Sequence, residues 1–119
     1  MMVDDSRAIA SRLMPSLEEL SNVDKVLCGY SYEDGKKIIS EADIDIAVLD
    51  VNLPGKSGID LLKYIKQDER LLNTTVIMMT DEASESREKL CMSAGADYFI
   101  DKFEDFENII NIVANARHN

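Results

Sequence analysis

The chain is short of histidine, cysteine and positive charge, and each shortage removes a class of function. Its one imidazole, His118, has no second histidine for a metal cluster and no triad partner, so it is expected to be an ordinary solvated residue of the C-terminal tail. The two cysteines, Cys28 and Cys91, are spaced like neither a zinc site nor a disulfide framework, and a reducing cytoplasm is the expected setting. Lys and Arg number 13 against 23 Asp and Glu, a formal net charge of -10. Such a surface repels phosphate backbones and anionic lipid at long range, so direct nucleic-acid or membrane binding is not expected. The apolar stretches are only a few residues long, and the N-terminus lacks a basic segment followed by an apolar one, so neither a transmembrane span nor a signal peptide is expected.

What is present is the composition of a folded protein, with 45% hydrophobic and 30% charged residues in 119 positions, enough for one domain spanning residues 1–119 around one core. Short apolar runs at Met1–Val3, Val26–Cys28, Ile46–Leu49, Val76–Met79 and Tyr98–Ile100 predict five strands, each too short for a helix. Between them Ile9, Leu13, Leu17 and Leu20 recur at helical spacing, as do Ile59, Leu62 and Ile65, then Phe106, Ile109, Ile110 and Val113. Ser31 with Asp34 and Ser57 with Asp60 match a capping pattern in which hydroxyl and acid satisfy the first free amides of a helix. Gly95 is placed to stop the fourth helix. Strands separated by helices require right-handed crossovers, giving a doubly wound (βα)5 fold with a five-stranded parallel sheet, helices on both faces, and a ligand site at the carboxyl ends of the strands. Two residues break local rules. Pro15 inside the first helical pattern predicts a kink or a division there, and Gly35 lies early in the second helix at a cost of about 1 kcal/mol relative to Ala.

The chemistry gathers at that carboxyl edge. Asp4 and Asp5 end the first strand and Asp50 ends the third, and in the most common five-strand order, 2-1-3-4-5, these strands are neighbours. Three converging carboxylates repel one another, and a hard divalent cation with oxygen ligands relieves the repulsion; magnesium suits such a site, with manganese as a substitute. Thr80 ends the fourth strand and Lys102 follows the fifth. A nucleophilic carboxylate, a metal, a hydroxyl donor and an ammonium are the parts that phosphoryl transfer needs.

Taken in order, MMVDDSR, VLDVNLPGKSGIDLL, VIMMTDE and GADYFIDKF resemble the receiver domain of response regulators over almost the whole chain. The resemblance implies a flavodoxin-like fold and a phosphorylation-activated switch of two-component signalling. It implies that Asp50 accepts a phosphoryl group from a histidine kinase or a phosphotransfer protein. Asp5, Asp50 and the backbone carbonyl of Asn52 would hold magnesium, with Asp4 acting through metal-bound water. Lys102 would pair with the phosphoryl oxygens, and Thr80 would move toward them while the aromatic Phe99 packs inward. The change would pass through the face of helix four, strand five and helix five to a downstream protein or an attached output domain. Asn52, Asp81 and Glu82 would tune the kinetics.

The sequence also departs from the family pattern. The first strand is short, and Phe103 stands where the family usually has a proline after the lysine, so no cis X-Pro bond is expected there. Asp81 replaces a small residue after Thr80. It is expected either to obstruct the pocket, slowing phosphodonors and prolonging the phosphorylated state, or to turn away and cap the fourth helix. An aspartate-nucleophile phosphatase of the haloacid dehalogenase kind is the enzyme alternative, but it needs an acid two positions after the nucleophile, where this chain has Asn52. A receiver-like module that binds a partner without phosphorylation is a third reading.

Overall fold

Alternating short apolar and amphipathic segments order the molecule as a repeated strand–helix unit. The computed structural model describes residues 1–116, so the expectation for His118 lies outside the described residues. The strands are β1 (Met2–Val3), β2 (Cys28–Gly29), β3 (Ile46–Asp50), β4 (Thr75–Thr80) and β5 (Tyr98–Asp101). The helices are α1 (Arg7–Glu18), α2 (Tyr32–Glu41), α3 (Gly58–Gln67), α4 (Glu85–Ser93) and α5 (Phe106–Ala114), with a 3-10 turn at Glu69–Leu71. The sheet is parallel in the order β2-β1-β3-β4-β5, as predicted.

Because side chains alternate along a strand, consecutive residues feed two cores. Val3, Leu49, Val76 and Met78 face one way and pack with Ile39 of α2, Leu61, Leu62 and Ile65 of α3, and Cys91 of α4. Met2, Val48, Ile77, Met79 and Ile100 face the other way and pack with Ala10, Leu13 and Leu17 of α1 and Ile109 and Val113 of α5. Both faces of the central strands are covered, which is why they read as continuous apolar runs.

The local signals act as expected at most helix ends. Ser57 and Asp60 form a complete capping box on α3, and the Ser31 hydroxyl caps α2, with Asp34 reaching back to the amide of Tyr30. Gly95 follows α4 with φ of 109°, a conformation that excludes most side chains. Two expectations need correction. α1 is not divided at Pro15 but runs unbroken to Glu18. Pro15 and Ser11 are both exposed, so the Ser11 carbonyl deprived of a partner lies on the solvent side, and less than one turn of helix follows the proline. Leu20 lies past the end of α1, although it still packs against the α1–α5 core.

Gly35 has a packing reason. A Cβ built there would lie 2.5 Å from Leu61 Cδ2 and 3.2 Å from Val3 Cγ2, so its absence lets α2 approach α3 and β1. Helix propensity favours Ala over Gly by about 1 kcal/mol, whereas forcing a methyl into a packed core costs about 1–3 kcal/mol. Gly35→Ala is therefore expected to destabilise the protein by about 1 kcal/mol net despite its better helix residue. Denaturant unfolding checks this; a stabilised variant would show that Leu61 yields freely.

Candidate functional site

Strand order and register bring the predicted residues together. β1 and β3 are adjacent, with Val3 opposite Leu49, so Asp4 and Asp50 leave the sheet side by side. Asp50 pairs with Met79 and Thr80 with Asp101, placing Thr80 one step beyond the acid and Lys102 one step beyond Thr80's partner. Lys102 is fixed there by its amide, which donates to the Thr80 carbonyl at 2.8 Å.

One oxygen from each of Asp4, Asp5 and Asp50 lies within 4.8 Å of the others. Asp4 and Asp50 are buried and Asp5 is exposed, so the cluster has a dry floor and a wet edge. Lys102 Nζ sits 2.8 Å from Asp4 Oδ2 and 3.1 Å from Asp50 Oδ2. The ammonium is thus shared between the two buried acids, and the Asp4 oxygen it approaches is fully enclosed. Three hard carboxylates that share one ammonium between the two buried ones fit a metal ion or a metal-bound water.

Burial, and next the charge of Asp4, pushes the Asp50 carboxyl up to about 6; the Asn52 amide and the Lys102 ammonium oppose the rise. The Asn52 amide donates to Asp50 Oδ1 at 3.1 Å. Burial pulls the Lys102 ammonium down, but the carboxylates of Asp4 and Asp50 outweigh it and hold the group above its ordinary value. Lys102 is thus a fixed cation of the site.

Asp81 does not cap α4. Ser84 does, its hydroxyl accepting from the Arg87 amide at 3.2 Å. Asp81 instead lines the cleft of about 440 Å³ over Asp50, with Asp5, Asn52, Lys102 and Phe103, and its Oδ1 accepts from Asn52 Nδ2 at 3.4 Å. Glu82 is exposed, and its amide donates to Thr80 Oγ1 at 3.1 Å. Phe99 is half-buried against the α2–α3–α4 core, one strand away from the site itself. A second depression at the opposite end of the sheet, bordered by Leu17, Val26 and Ile44, is remote from Asp4, Asp5 and Asp50.

Three contributors were not foreseen from sequence. A Cβ on Gly58 would fall 1.9 Å from the Asp50 carbonyl oxygen, so only glycine lets α3 begin against the acid's own backbone. Asp101 accepts from the amides of Phe103 and Glu104, both at 2.9 Å, and so shapes the turn after Lys102 where no proline stands. Arg87 on α4 reaches Thr80 Oγ1 and Asn52 Oδ1. The glycine was visible only as one of five, and the other two lay among many exposed charges.

An open parallel sheet that carries such a cluster at its carboxyl edge is the architecture of a signalling receiver. Residues 1–114 match the profile of the response regulator receiver domain, and the chain belongs to that family. It is a receiver domain of two-component signalling, a phosphorylation-activated switch rather than a classical enzyme. It is similar to the transcriptional regulatory protein CpxR of Escherichia coli (strain K12), with 35% identity over 98% of this chain and 48% of that protein. The chain thus spans about half the length of the curated relatives it matches. Among solved structures, the BeF3-activated DrrB receiver domain shares 28% identity at a TM-score of 0.81, covering 94% of this chain and 90% of that one. A putative response regulator from Chloroflexus aurantiacus J-10-fl shares 28% identity at a TM-score of 0.81, covering 96% and 95%.

The crowding of Asp50 has a measurable consequence. Its folded pKa lies above the ordinary value of 3.8, so the metal-free fold binds this proton more tightly than the unfolded chain does. Ionised Asp50 therefore costs stability at neutral pH, and the cost fades as pH falls through about 6. Asp50→Asn is expected to stabilise the metal-free protein by about 1–2 kcal/mol at pH 7.5, with the difference shrinking by pH 5. Unfolding with chelator at both pH values checks it; a neutral or destabilising change at pH 7.5 would contradict the crowding.

Proposed function

We propose that Asp50 is the phosphoacceptor of the switch and that the whole chain acts as one receiver unit. The observation that carries the reading is the pairing of buried Asp50 with Lys102 at 3.1 Å, beside two further carboxylates at the edge of the sheet. One Asp50 oxygen attacks the phosphorus of a phosphohistidine on a histidine kinase or phosphotransfer protein. The new P–O bond gives an acyl phosphate, and the P–N bond breaks with its electron pair returning to the imidazole nitrogen. Water later attacks phosphorus and releases phosphate, restoring the carboxylate. In this sense the domain catalyses only its own phosphotransfer and dephosphorylation.

Asp5, Asp50 and the Asn52 carbonyl would hold magnesium or manganese, with Asp4 reached through water. That ion supplies positive charge that offsets the carboxylates and the phosphoryl oxygens. Lys102 pairs with the phosphoryl oxygens, Thr80 donates its hydroxyl to them, and Phe99 repacks as Thr80 moves. Leu90 and Met92 of α4 and Tyr98 of β5 are exposed apolar side chains, which supports a partner site on the face of α4, β5 and α5. The acidic surface favours output through a partner or attached domain over direct contact with nucleic acid. A reducing cytoplasm suits the two free cysteines.

Treatment with a small phosphodonor and magnesium is expected to add one phosphoryl group to the intact mass, and chelator or Asp50→Asn to abolish it. Labelling that survives Asp50→Asn would remove the assignment. Turnover of simple phosphate esters would favour the phosphatase alternative.

Asp81 sets the rate in this reading. It adds a carboxylate to the mouth of the cleft, where an anionic donor and the attacking water must pass. Asp81→Ala is expected to be labelled severalfold faster and to lose phosphate severalfold faster, with stability nearly unchanged because Ser84 caps α4. Time courses of labelling and decay check this, and unaltered rates would show that Asp81 does not guard the site.

A further inference from the structure

Arg87 is a cation on α4 that spends its guanidinium on the cleft over Asp50. Nη1 lies 3.3 Å from Thr80 Oγ1 and 3.4 Å from Asn52 Oδ1, and Nη2 lies 3.5 Å from Glu82 Oε2. One guanidinium nitrogen, Nη1, therefore ties α4 to the end of β4 and to the loop that follows β3. The side chain is 28% exposed, so most of it is held against the protein.

Two features give this bridge a direction. The Thr80 hydroxyl has two lone pairs and one proton, and it already accepts from the Glu82 amide at 3.1 Å as well as from Arg87. A phosphoryl group on Asp50 would be a new acceptor for the Thr80 proton, and a rotation about χ1 that carried Oγ1 toward it would give up the Arg87 contact. α4 is also lightly anchored by apolar burial: among its described residues Cys91 is the one buried side chain, while Leu90 and Met92 are exposed. Polar contacts from Arg87 thus form a large part of what fixes the start of this helix.

We propose that Arg87 is a positioning residue that latches Thr80 in its resting rotamer and releases α4 when Thr80 turns to the phosphoryl group. The latch rests on the reading of Asp50 as phosphoacceptor and Thr80 as donor. Because it stabilises only the resting arrangement, it opposes activation, and weakening it favours the activated state.

Arg87→Lys tests this, since lysine keeps the charge but its ammonium ends a bond short of the Nη1 that holds Thr80 and Asn52. Three-bond couplings of Thr80 in the unliganded protein are expected to report one rotamer in the wild type and averaging in the variant. Beryllofluoride with magnesium is expected to bind the variant about fivefold more tightly, the scale set by losing one net hydrogen bond from the resting state. Amide exchange is expected to quicken in α4 and not in α3. Unchanged Thr80 couplings would overturn the latch, as would weaker beryllofluoride binding in the variant, which would make Arg87 a phosphoryl ligand instead. If the wild type fails to bind beryllofluoride, or Asp50→Asn binds it equally, the phosphoacceptor reading falls, while the Thr80 couplings still decide the latch.

Discussion

Three carboxylates meeting at one edge of a sheet is a condition the fold must actively satisfy, since each buried charge loses its water and feels its neighbours through a poor dielectric. Lys102 satisfies it in part, lying within ion-pair distance of both buried acids. Almost every other specific feature of the structure serves this convergence. Parallel pairing of β1 with β3 sets Asp4 beside Asp50, and the register of β4 with β5 carries Lys102 to them. Gly58 lets α3 start in contact with the Asp50 carbonyl, and Asp101 curls the chain behind Lys102. Three carboxylates against one lysine leave the site net negative, so its energy changes sharply when the charge on Asp50 changes.

Features with a short sequence range were readable before the structure. The alternation of apolar runs with helical periodicity requires only the side-chain period of each element, and it marked five strands separated by helices, while the 2-1-3-4-5 order followed from the most common arrangement of such a sheet. The box of Ser57 and Asp60 is complete within four residues. The acids, Thr80 and Lys102 were readable because each ends or follows a strand, and a parallel sheet delivers such residues to one edge. What failed were features that depend on distance across the fold. Gly58 matters because of an oxygen eight residues earlier in sequence, and Gly35 because of Leu61 on another helix. Arg87 belongs to the site only because α4 lies over the ends of β3 and β4.

The contrast between Asp81 and Ser84 shows the limit of local rules. Either residue offers an oxygen that can cap a helix, and Asp81 comes first in sequence. The choice falls to the length of the loop after β4. The helix begins at Glu85, so Ser84 is the residue next to the free amides, and Asp81 is left at the rim of the cleft facing Asn52. A short shift in where a helix starts thus moves an acid from the helix end to the mouth of the cleft over Asp50.

Rigidity is distributed unevenly around Asp50, and this decides where a change at that residue can travel. β3 and β4 are covered on both faces, and Leu49, Ile77, Met78 and Met79 have no exposed surface, so these strands have no alternative packing within reach. The segment from Asp81 to Ser84 is exposed, and α4 beyond it buries only Cys91 among its described residues. Adding a dianion to Asp50 alters the balance among Lys102, Thr80 and the acids by far more than the few weak contacts that hold this segment. In the proposed switch, movement would take the route of least stability, through the loop after β4 into α4, whose outer side carries Leu90 and Met92. The acceptor of the proposed switch sits on the best-packed part of the molecule and its readout on one of the least buried, which would let one covalent event at a fixed point become a change of surface.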